Sequence, residues 1–178
     1  MVKVAIVGSG FIGRAWAISF ARAGHDVRMW DQSPAATAGA HDYIAGVLGD
    51  LAANELLRGQ AIDAVLDRIA FVADLGEALS DAVHIQENTP ESLEVKREVF
   101  SRIDAIAGPQ AVIASSTSAL LPSKFTDHLQ GRHRCLVVHP INPPYLIPAA
   151  EVVPAPWTSS ETIERTRAFL IDAATRRW

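Results

Sequence analysis

The feature that most constrains the fold is a glycine pattern set between an apolar run and a helical one. Residues 2–7 are almost wholly apolar, as in a strand buried on both faces. The segment Gly8-Ser-Gly-Phe-Ile-Gly13 follows, and residues 11–23 then carry apolar side chains at helical spacing. A buried strand, a glycine turn and a helix form the first half of a β-α-β unit. The pattern therefore predicts a parallel sheet flanked by helices.

The rest of the chain continues this alternation. Further strands are predicted at residues 27–30, 69–72, 82–86, 111–114, 135–138 and 149–153. Helices are predicted at 33–58 (Ser33 as N-cap, Pro34 as its first residue), 62–66, 75–79, 90–107, and from Thr158 or Ser159 to 174. The fold class is therefore α/β, a doubly wound and mainly parallel sheet in a single domain over 1–178. Because another strand follows the closing helix in this architecture, we interpret the chain as truncated before its final strand.

Charge, cysteine content and the lack of long apolar runs limit the binding partners and the cell compartment that we expect. The formal net charge is −4 and the arginines are scattered, which gives no reason to expect nucleic acid or an anionic membrane as a partner. Cys135 is the single cysteine, so no internal disulfide can form. The sequence has no leader pattern and no apolar run of membrane-spanning length. These features predict a soluble, cytoplasmic protein.

The glycine pattern predicts a dinucleotide site. Gly8 permits a tight turn, Gly10 lets the backbone approach a pyrophosphate, and Gly13 lets the helix pack closely on the strand. The free N–H groups at the start of the helix, around Phe11 and Ile12, would hold the phosphate charge. The alternative is a turn that needs glycine for its backbone conformation alone, a reading that the flanking strand and helix disfavour.

Asp31, at the end of the second predicted strand, bears on the choice of cofactor. A carboxylate there can accept hydrogen bonds from the adenosine ribose hydroxyls and would repel a 2′-phosphate. No arginine stands at 32 or 33 to hold such a phosphate. We therefore predict NAD rather than NADP, although an aspartate that merely starts the turn before Ser33 is an alternative.

A second group of candidate residues follows the strand predicted at 135–138. His139 lies where that strand ends, at the edge where open parallel sheets bind ligands, and an imidazole can accept the proton of an alcohol being oxidised. Glu151 opens the next strand and could orient the imidazole. Asn142 and the hydroxyl-rich run 115–118, which includes Ser118, could bind a developing carbonyl or the nicotinamide ribose. The alternatives are a structural histidine and turn or capping roles for Asn142 and Ser118.

Other conspicuous side chains have simpler interpretations. His133, Cys135 and His139 share a strand face only nominally and lack supporting acids, so we expect no metal. Cys135 is expected to be a core residue, because nothing near it in sequence would lower its pKa. Trp16 and Trp30 are also expected in the core.

Longer motifs carry a resemblance to the 3-hydroxyacyl-CoA dehydrogenase superfamily, N-terminal NAD-binding domain, over essentially the whole chain. Within it, the chain is most similar to the lambda-crystallin and L-gulonate 3-dehydrogenase branch. The segments that carry this resemblance are Gly8-Ser-Gly-Phe-Ile-Gly-Arg-Ala-Trp16, His84-Ile-Gln-Glu87, Pro90-Glu-Ser-Leu-Glu-Val-Lys96, Ser115-Ser-Thr-Ser-Ala-Leu-Leu-Pro-Ser-Lys124, His139-Pro-Ile-Asn-Pro-Pro-Tyr-Leu-Ile-Pro148 and Glu151-Val-Val-Pro154.

The resemblance implies roles for individual residues. It implies that His139 is the catalytic base and that Glu151 is its acidic partner. It places Ser118 and Asn142 where substrate meets nicotinamide, and it implies cofactor contacts for Glu91 and Lys96. Without the resemblance, these last two residues would be assigned to a solvated helix face.

The resemblance also implies parts that this sequence does not contain. Members of the family have a helical C-terminal domain that forms a homodimer and closes the substrate pocket, so we expect this chain alone to bind NAD weakly and to turn over little. Between Ser33 and Asp67 the only Lys or Arg is Arg58, which favours a small free hydroxy acid over a coenzyme A thioester. A 3-hydroxyacyl-CoA dehydrogenase and a non-catalytic NAD-binding or structural protein remain the alternatives.

Overall fold

The computed structural model describes residues 1–175, which form a seven-stranded sheet with helices on both faces. The strand order is β3-β2-β1-β4-β5-β6-β7. The strands are β1 (Lys3–Val7), β2 (Asp26–Trp30), β3 (Ile69–Phe71), β4 (His84–Glu87), β5 (Val112–Ser115), β6 (Cys135–Pro140) and β7 (Ala150–Pro154). All neighbouring strands are parallel except β7, which runs antiparallel to β6. This architecture confirms the predicted doubly wound, mainly parallel sheet.

Seven helices connect and flank these strands. They are α1 (Phe11–Arg22), α2 (Pro34–Ala53), α3 (Ile62–Leu66), α4 (Leu75–Leu79), α5 (Leu93–Ile106), α6 (Pro122–Phe125) and α7 (Ser160–Thr175). The short helix α6 and a single 3₁₀ turn at Arg132–Arg134 were not predicted. Among residues 1–175, no helix combines the length and apolarity needed to cross a bilayer.

Two helix boundaries differ from the prediction for local reasons. Helix α2 ends at Ala53 rather than near residue 58, because Glu55 and Arg58 adopt positive φ angles that a helix cannot contain. Helix α5 begins at Leu93 rather than at Pro90. Ser92 is its N-cap, and the Ser92 hydroxyl accepts a hydrogen bond from the backbone N–H of Val95. Glu91 is therefore free to point away from the helix.

The two faces of the sheet bury separate cores. Successive side chains along a strand point to opposite faces of the sheet. On one face, side chains such as that of Ile6 pack against α1, α2, α3 and α7. On the other face, side chains such as that of Val7 pack against α4, α5 and α6. Trp16 lies in the first core and Trp30 in the second, as expected. Cys135 is buried in the second core, and burial raises the pKa of its thiol to about 12. These findings support a packing role for Cys135.

His84 is an ionisable residue buried within this sheet. Its ring stacks on Phe169 of α7 with centroids 4.6 Å apart and meets the edge of Phe20 from α1. Its Nε2 lies 2.9 Å from the Gln86 side-chain oxygen. Burial lowers the pKa of His84 to about 4. The hydrogen bond to Gln86 raises the pKa in part, and the nearby His25 lowers it slightly further.

This pKa predicts a loss of stability in mild acid. The folded protein keeps His84 neutral, whereas the unfolded chain takes up a proton below its ordinary pKa of about 6.5, so stability falls as the pH drops from 6.5 towards 4. Between about pH 7.5 and about pH 5.5, we expect the wild type to lose about 1.3 kcal/mol more unfolding free energy than His84→Gln. Urea unfolding at both pH values measures this difference, and equal losses for the two proteins would contradict it.

Candidate functional site

The glycine turn lies where β1 ends and α1 begins, and two of its glycines have no room for a side chain. Gly8 has a φ of +96°, and a Cβ there would lie 2.9 Å from backbone atoms of Asn88. A Cβ on Gly13 would lie 2.0 Å from the carbonyl oxygen of Gly8. Gly10 faces open space within 4 Å. The turn therefore leaves the first N–H groups of α1, around Phe11 and Ile12, accessible to an anion, which fits a diphosphate.

The Asp31 carboxylate lies against the same turn. Its Oδ2 accepts hydrogen bonds from the backbone N–H of Ser9 at 2.7 Å and from the Ser9 hydroxyl at 2.9 Å. Its Oδ1 accepts from the backbone N–H of Ser33 at 2.9 Å. Asp31 therefore does start the turn before Ser33, which was the alternative interpretation of this residue. The same carboxylate also lies beside the predicted diphosphate site, so the turn role does not exclude a cofactor role.

A buried ion pair holds the loop after β4. Lys96 Nζ lies 3.0 Å from each carboxylate oxygen of Glu87, and it also donates to the carbonyl of Thr89. Both side chains are almost completely buried, at 1% and 0% exposure. The Ser115 hydroxyl donates to the other side of the Glu87 carboxylate. The interpretation of Lys96 as part of a solvated helix face was therefore wrong, and its contact with a cofactor stays a prediction.

Glu91 joins the loops that follow β4 and β5. It lies before α5, outside the helix, so its assignment to a helix face was also wrong. Its carboxylate accepts hydrogen bonds from the Thr117 hydroxyl and the Ala119 N–H. Partial burial opposes ionisation, but these two bonds and the nearby Lys96 lower the pKa of the Glu91 carboxyl. Glu91 therefore fixes the residues on either side of the exposed Ser118.

His139 and Glu151 face each other across β6 and β7. They are register partners, and His139 Nδ1 lies 3.5 Å from Glu151 Oε2. The imidazole side chain is 30% exposed and the carboxylate side chain 73% exposed, so both can be reached by a small molecule. Asn142, also exposed, follows in the loop between the two strands. The structure therefore brings together the two residues on which the enzymatic interpretation depends.

The predicted site residues share one edge of the sheet. Gly8 follows β1, Asp31 follows β2, and Glu91 and Ser118 lie in the loops after β4 and β5. His139 lies near the end of β6, and Glu151 reaches the same edge because β7 runs the opposite way. The strand order reverses direction between β1 and β4, and such a switch point at the carboxyl edge is where open α/β sheets bind ligands.

A second polar network lies at this edge. Its Ser116 belongs to the hydroxyl-rich run 115–118 named as a candidate from the sequence, but the contacts of that hydroxyl were not predicted. The Ser116 hydroxyl accepts hydrogen bonds from the Trp16 indole at 3.0 Å and from the Gln86 side chain at 2.8 Å, and it donates to Asn88 at 2.7 Å. Gln86 and Glu87 are buried polar residues in a central strand. That polarity was the available signal, because a strand buried on both faces is normally apolar. Within residues 1–175, no group of three His, Cys, Asp or Glu side chains could hold a metal ion.

Comparison with known proteins identifies the family. The family model described as "3-hydroxyacyl-CoA dehydrogenase, NAD binding domain" matches residues 3–175. The chain belongs to the 3-hydroxyacyl-CoA dehydrogenase family. Since the matching domain of this family is its NAD-binding domain, the predicted cofactor is confirmed at the level of the domain.

Individual relatives agree with this assignment. The chain is 42% identical over 168 residues to lambda-crystallin from Oryctolagus cuniculus, covering 94% of this chain and 53% of the relative. It is 38% identical over 172 residues to L-carnitine dehydrogenase from a Pseudomonas species, covering 97% of this chain and 52% of the relative. The chain therefore spans about half the length of these relatives. The expected resemblance to lambda-crystallins is confirmed.

Solved structures show the same architecture. The 3-hydroxybutyryl-CoA dehydrogenase of Escherichia coli aligns with a TM-score of 0.91 at 27% identity, covering 99% of this chain and 38% of that one. A second structure, the NAD⁺-dependent dismutase 5-formyl-3-hydroxy-2-methylpyridine 4-carboxylic acid 5-dehydrogenase, aligns with a TM-score of 0.85 at 30% identity. The alignment covers 97% of this chain and 55% of that one. The fold of this chain is thus that of the NAD-binding part of longer dehydrogenases.

Proposed function

We propose that this chain is the cofactor-binding part of an NAD-dependent oxidoreductase that oxidises the 3-hydroxyl of a hydroxy acid or its thioester to a ketone. The observation that carries the proposal is the pairing of His139 with Glu151, with 3.5 Å between Nδ1 and Oε2, at the edge that also holds the glycine turn. A domain that only bound NAD would have no need of an exposed imidazole held by a carboxylate at that edge.

The geometry supports one route for the proton of the substrate hydroxyl. Because Nδ1 of His139 faces Glu151, Nε2 is the nitrogen left to accept the hydroxyl proton of the substrate. The carboxylate of Glu151 would then stabilise the imidazolium that forms. NAD, when bound, would supply the acceptor for the hydride that leaves the carbon bearing that hydroxyl, so the alcohol loses a proton from oxygen and a hydride from carbon and becomes a ketone. Ser118 and Asn142, both exposed at this edge, are proposed to donate hydrogen bonds to the carbonyl oxygen as it forms.

The substrate is proposed to be a small free 3-hydroxy acid such as L-gulonate. Arg58 is the only Lys or Arg between Ser33 and Asp67, and its guanidinium donates to the carbonyls of Ala173 and Ala174 at the end of α7. It is therefore engaged in the fold and poorly placed to hold coenzyme A phosphates. The identity to lambda-crystallin and to an L-carnitine dehydrogenase supports the same substrate class.

A coenzyme A thioester is the second candidate. It is supported by the structural similarity to the 3-hydroxybutyryl-CoA dehydrogenase of Escherichia coli, with a TM-score of 0.91. In that case the phosphates would be bound by parts of a longer protein. The helical second domain and the homodimer expected from the resemblance also remain proposals, because this chain spans about half of its relatives.

The test of function compares the turnover of three substrates in the same assay. The chain is assayed alone, and also fused to the second half of rabbit lambda-crystallin, for NADH formation with L-gulonate, L-carnitine and 3-hydroxybutyryl-CoA. The proposal expects the fusion to turn over a free hydroxy acid faster than the thioester, and the chain alone to turn over little. Preference for the thioester would support the second candidate, and NADH binding without turnover of any substrate would support a non-catalytic protein.

A further inference from the structure

Ser9 is a polar residue in a position that needs only a small side chain. It lies between Gly8 and Gly10 and is completely buried. Burying a hydroxyl is unfavourable unless the hydroxyl is hydrogen-bonded, so an alanine would satisfy the packing at lower cost in desolvation. The hydroxyl must therefore be explained by what it contacts, and it contacts the Asp31 carboxylate.

The contacts fix the carboxylate in one orientation. The terminal torsion of a free aspartate is broad, so an unrestrained carboxylate samples many angles. Here Oδ2 is held by two donors from Ser9, the N–H and the hydroxyl, and Oδ1 is held by the N–H of Ser33. A carboxylate has about four acceptor positions, of which these bonds occupy three. The open position is on Oδ1, and a ribose hydroxyl can donate to it.

Ser9 is itself held from the other side. The Nε of Arg14 donates to the carbonyl of Ser9 at 2.7 Å. The Arg14 guanidinium lies over the ring of Tyr43, 5.2 Å from its centroid, and Tyr43 belongs to α2. Ser9 therefore connects the carboxylate at the end of β2 to a side chain stacked on α2.

We propose that Ser9 is a positioning residue whose hydroxyl fixes the Asp31 carboxylate for the adenosine ribose of NAD. The inference rests on the proposed function, because it assumes that the dinucleotide lies on the glycine turn. Ser9 acts through Asp31 and not as a catalytic group. Its loss should therefore weaken cofactor binding only while the carboxylate is present.

The experiment is a double-mutant cycle on the chain itself, followed by NADH fluorescence titration. Ser9→Ala is expected to weaken NADH binding roughly 3- to 10-fold, the effect of losing one ordinary hydrogen bond, because the backbone N–H of residue 9 still donates to Oδ2 of Asp31. In an Asp31→Asn background, the same substitution should change the dissociation constant by less than about 2-fold. Ser19→Ala removes another buried serine hydroxyl, which donates to the carbonyl of Ala15 in α1; it serves as the matched control and should leave binding unchanged.

The outcomes separate this inference from the function on which it rests. No NADH binding by the wild type would contradict the proposed function. Wild-type affinity in Ser9→Ala, or an equal loss with and without Asp31, would overturn the positioning role while leaving the proposed function intact. Thermal unfolding checks that the variants fold. Ser9→Cys, whose thiol is somewhat larger than the hydroxyl and only a weak donor, replaces Ser9→Ala if the alanine variant does not fold.

Discussion

His139→Ala is expected to lower kcat for the hydroxy acid roughly 10²- to 10⁴-fold, the range that a positioned general base contributes. NADH binding by the variant should stay within about twofold of wild type, because general-base loss acts on the chemical step and not on cofactor affinity. The reason is structural: the imidazole lies at the end of β6, whereas the diphosphate is proposed to lie on the turn after β1. Turnover is measured in the fusion with the second half of rabbit lambda-crystallin, and NADH affinity in the chain alone.

His133→Ala is the matched control for this substitution. His133 is exposed in the 3₁₀ turn that precedes β6, at the opposite edge of the sheet from His139. The control should retain the kcat of the wild type. A His139→Ala variant with normal kcat would contradict the role of the imidazole as the base. A variant that lost NADH binding together with kcat would point to a structural role for His139 instead.

Lys96→Met is expected to lower the free energy of unfolding by about 3–5 kcal/mol, as found when one partner of a buried ion pair is removed. The substitution leaves the Glu87 carboxylate completely buried without its cation, although hydrogen bonds from Thr89 and Ser115 remain. Urea unfolding followed by circular dichroism measures the loss.

Two further variants test this explanation. Arg97→Met removes the next cation in the same helix, whose ion pair with Asp127 is exposed, and should cost no more than about 1 kcal/mol. The double variant Glu87→Gln/Lys96→Met should be more stable than Lys96→Met alone, because no charge is then left buried without a partner. A loss of under about 1 kcal/mol in Lys96→Met would mean that water or a rearranged loop already compensates the carboxylate.

The fold could be predicted closely because its central strands β1, β4, β5 and β6 are buried on both faces. Such strands give continuous apolar runs, as in residues 2–7 and 135–138, and these are visible without any structure. Strand direction is not encoded in this pattern, so the antiparallel course of β7 could not be deduced from the alternation of elements. The start of α5 was also misplaced, since Thr89-Pro90 and Ser92 are both plausible starts and only the hydrogen bond from Val95 N–H to Ser92 decides between them.

The site was predictable where its residues end strands, and less so where they are buried. Strand ends placed Asp31 and His139 at one edge from sequence alone, and the start of the next strand made Glu151 a candidate partner of His139, a role that the resemblance also implied. The ion pair of Lys96 was not predicted, because a lysine on a helix is normally solvated and its partner Glu87 lies just beyond the strand predicted at 82–86. A pair that stabilises itself by mutual contact cannot be recognised from either residue considered separately.

Because β7 runs antiparallel to β6, both members of the proposed acid–base pair lie on one hairpin. The two strands are joined by a single loop with no helix between them, and the ladder from Leu136–Pro154 to Pro140–Ala150 sets the spacing of His139 and Glu151. Exchanging the loop at residues 141–149 for that of a relative could therefore alter which molecules are admitted without separating the base from its acid. Diversification of substrate within a common scaffold would then require changes in one short, contiguous stretch of sequence.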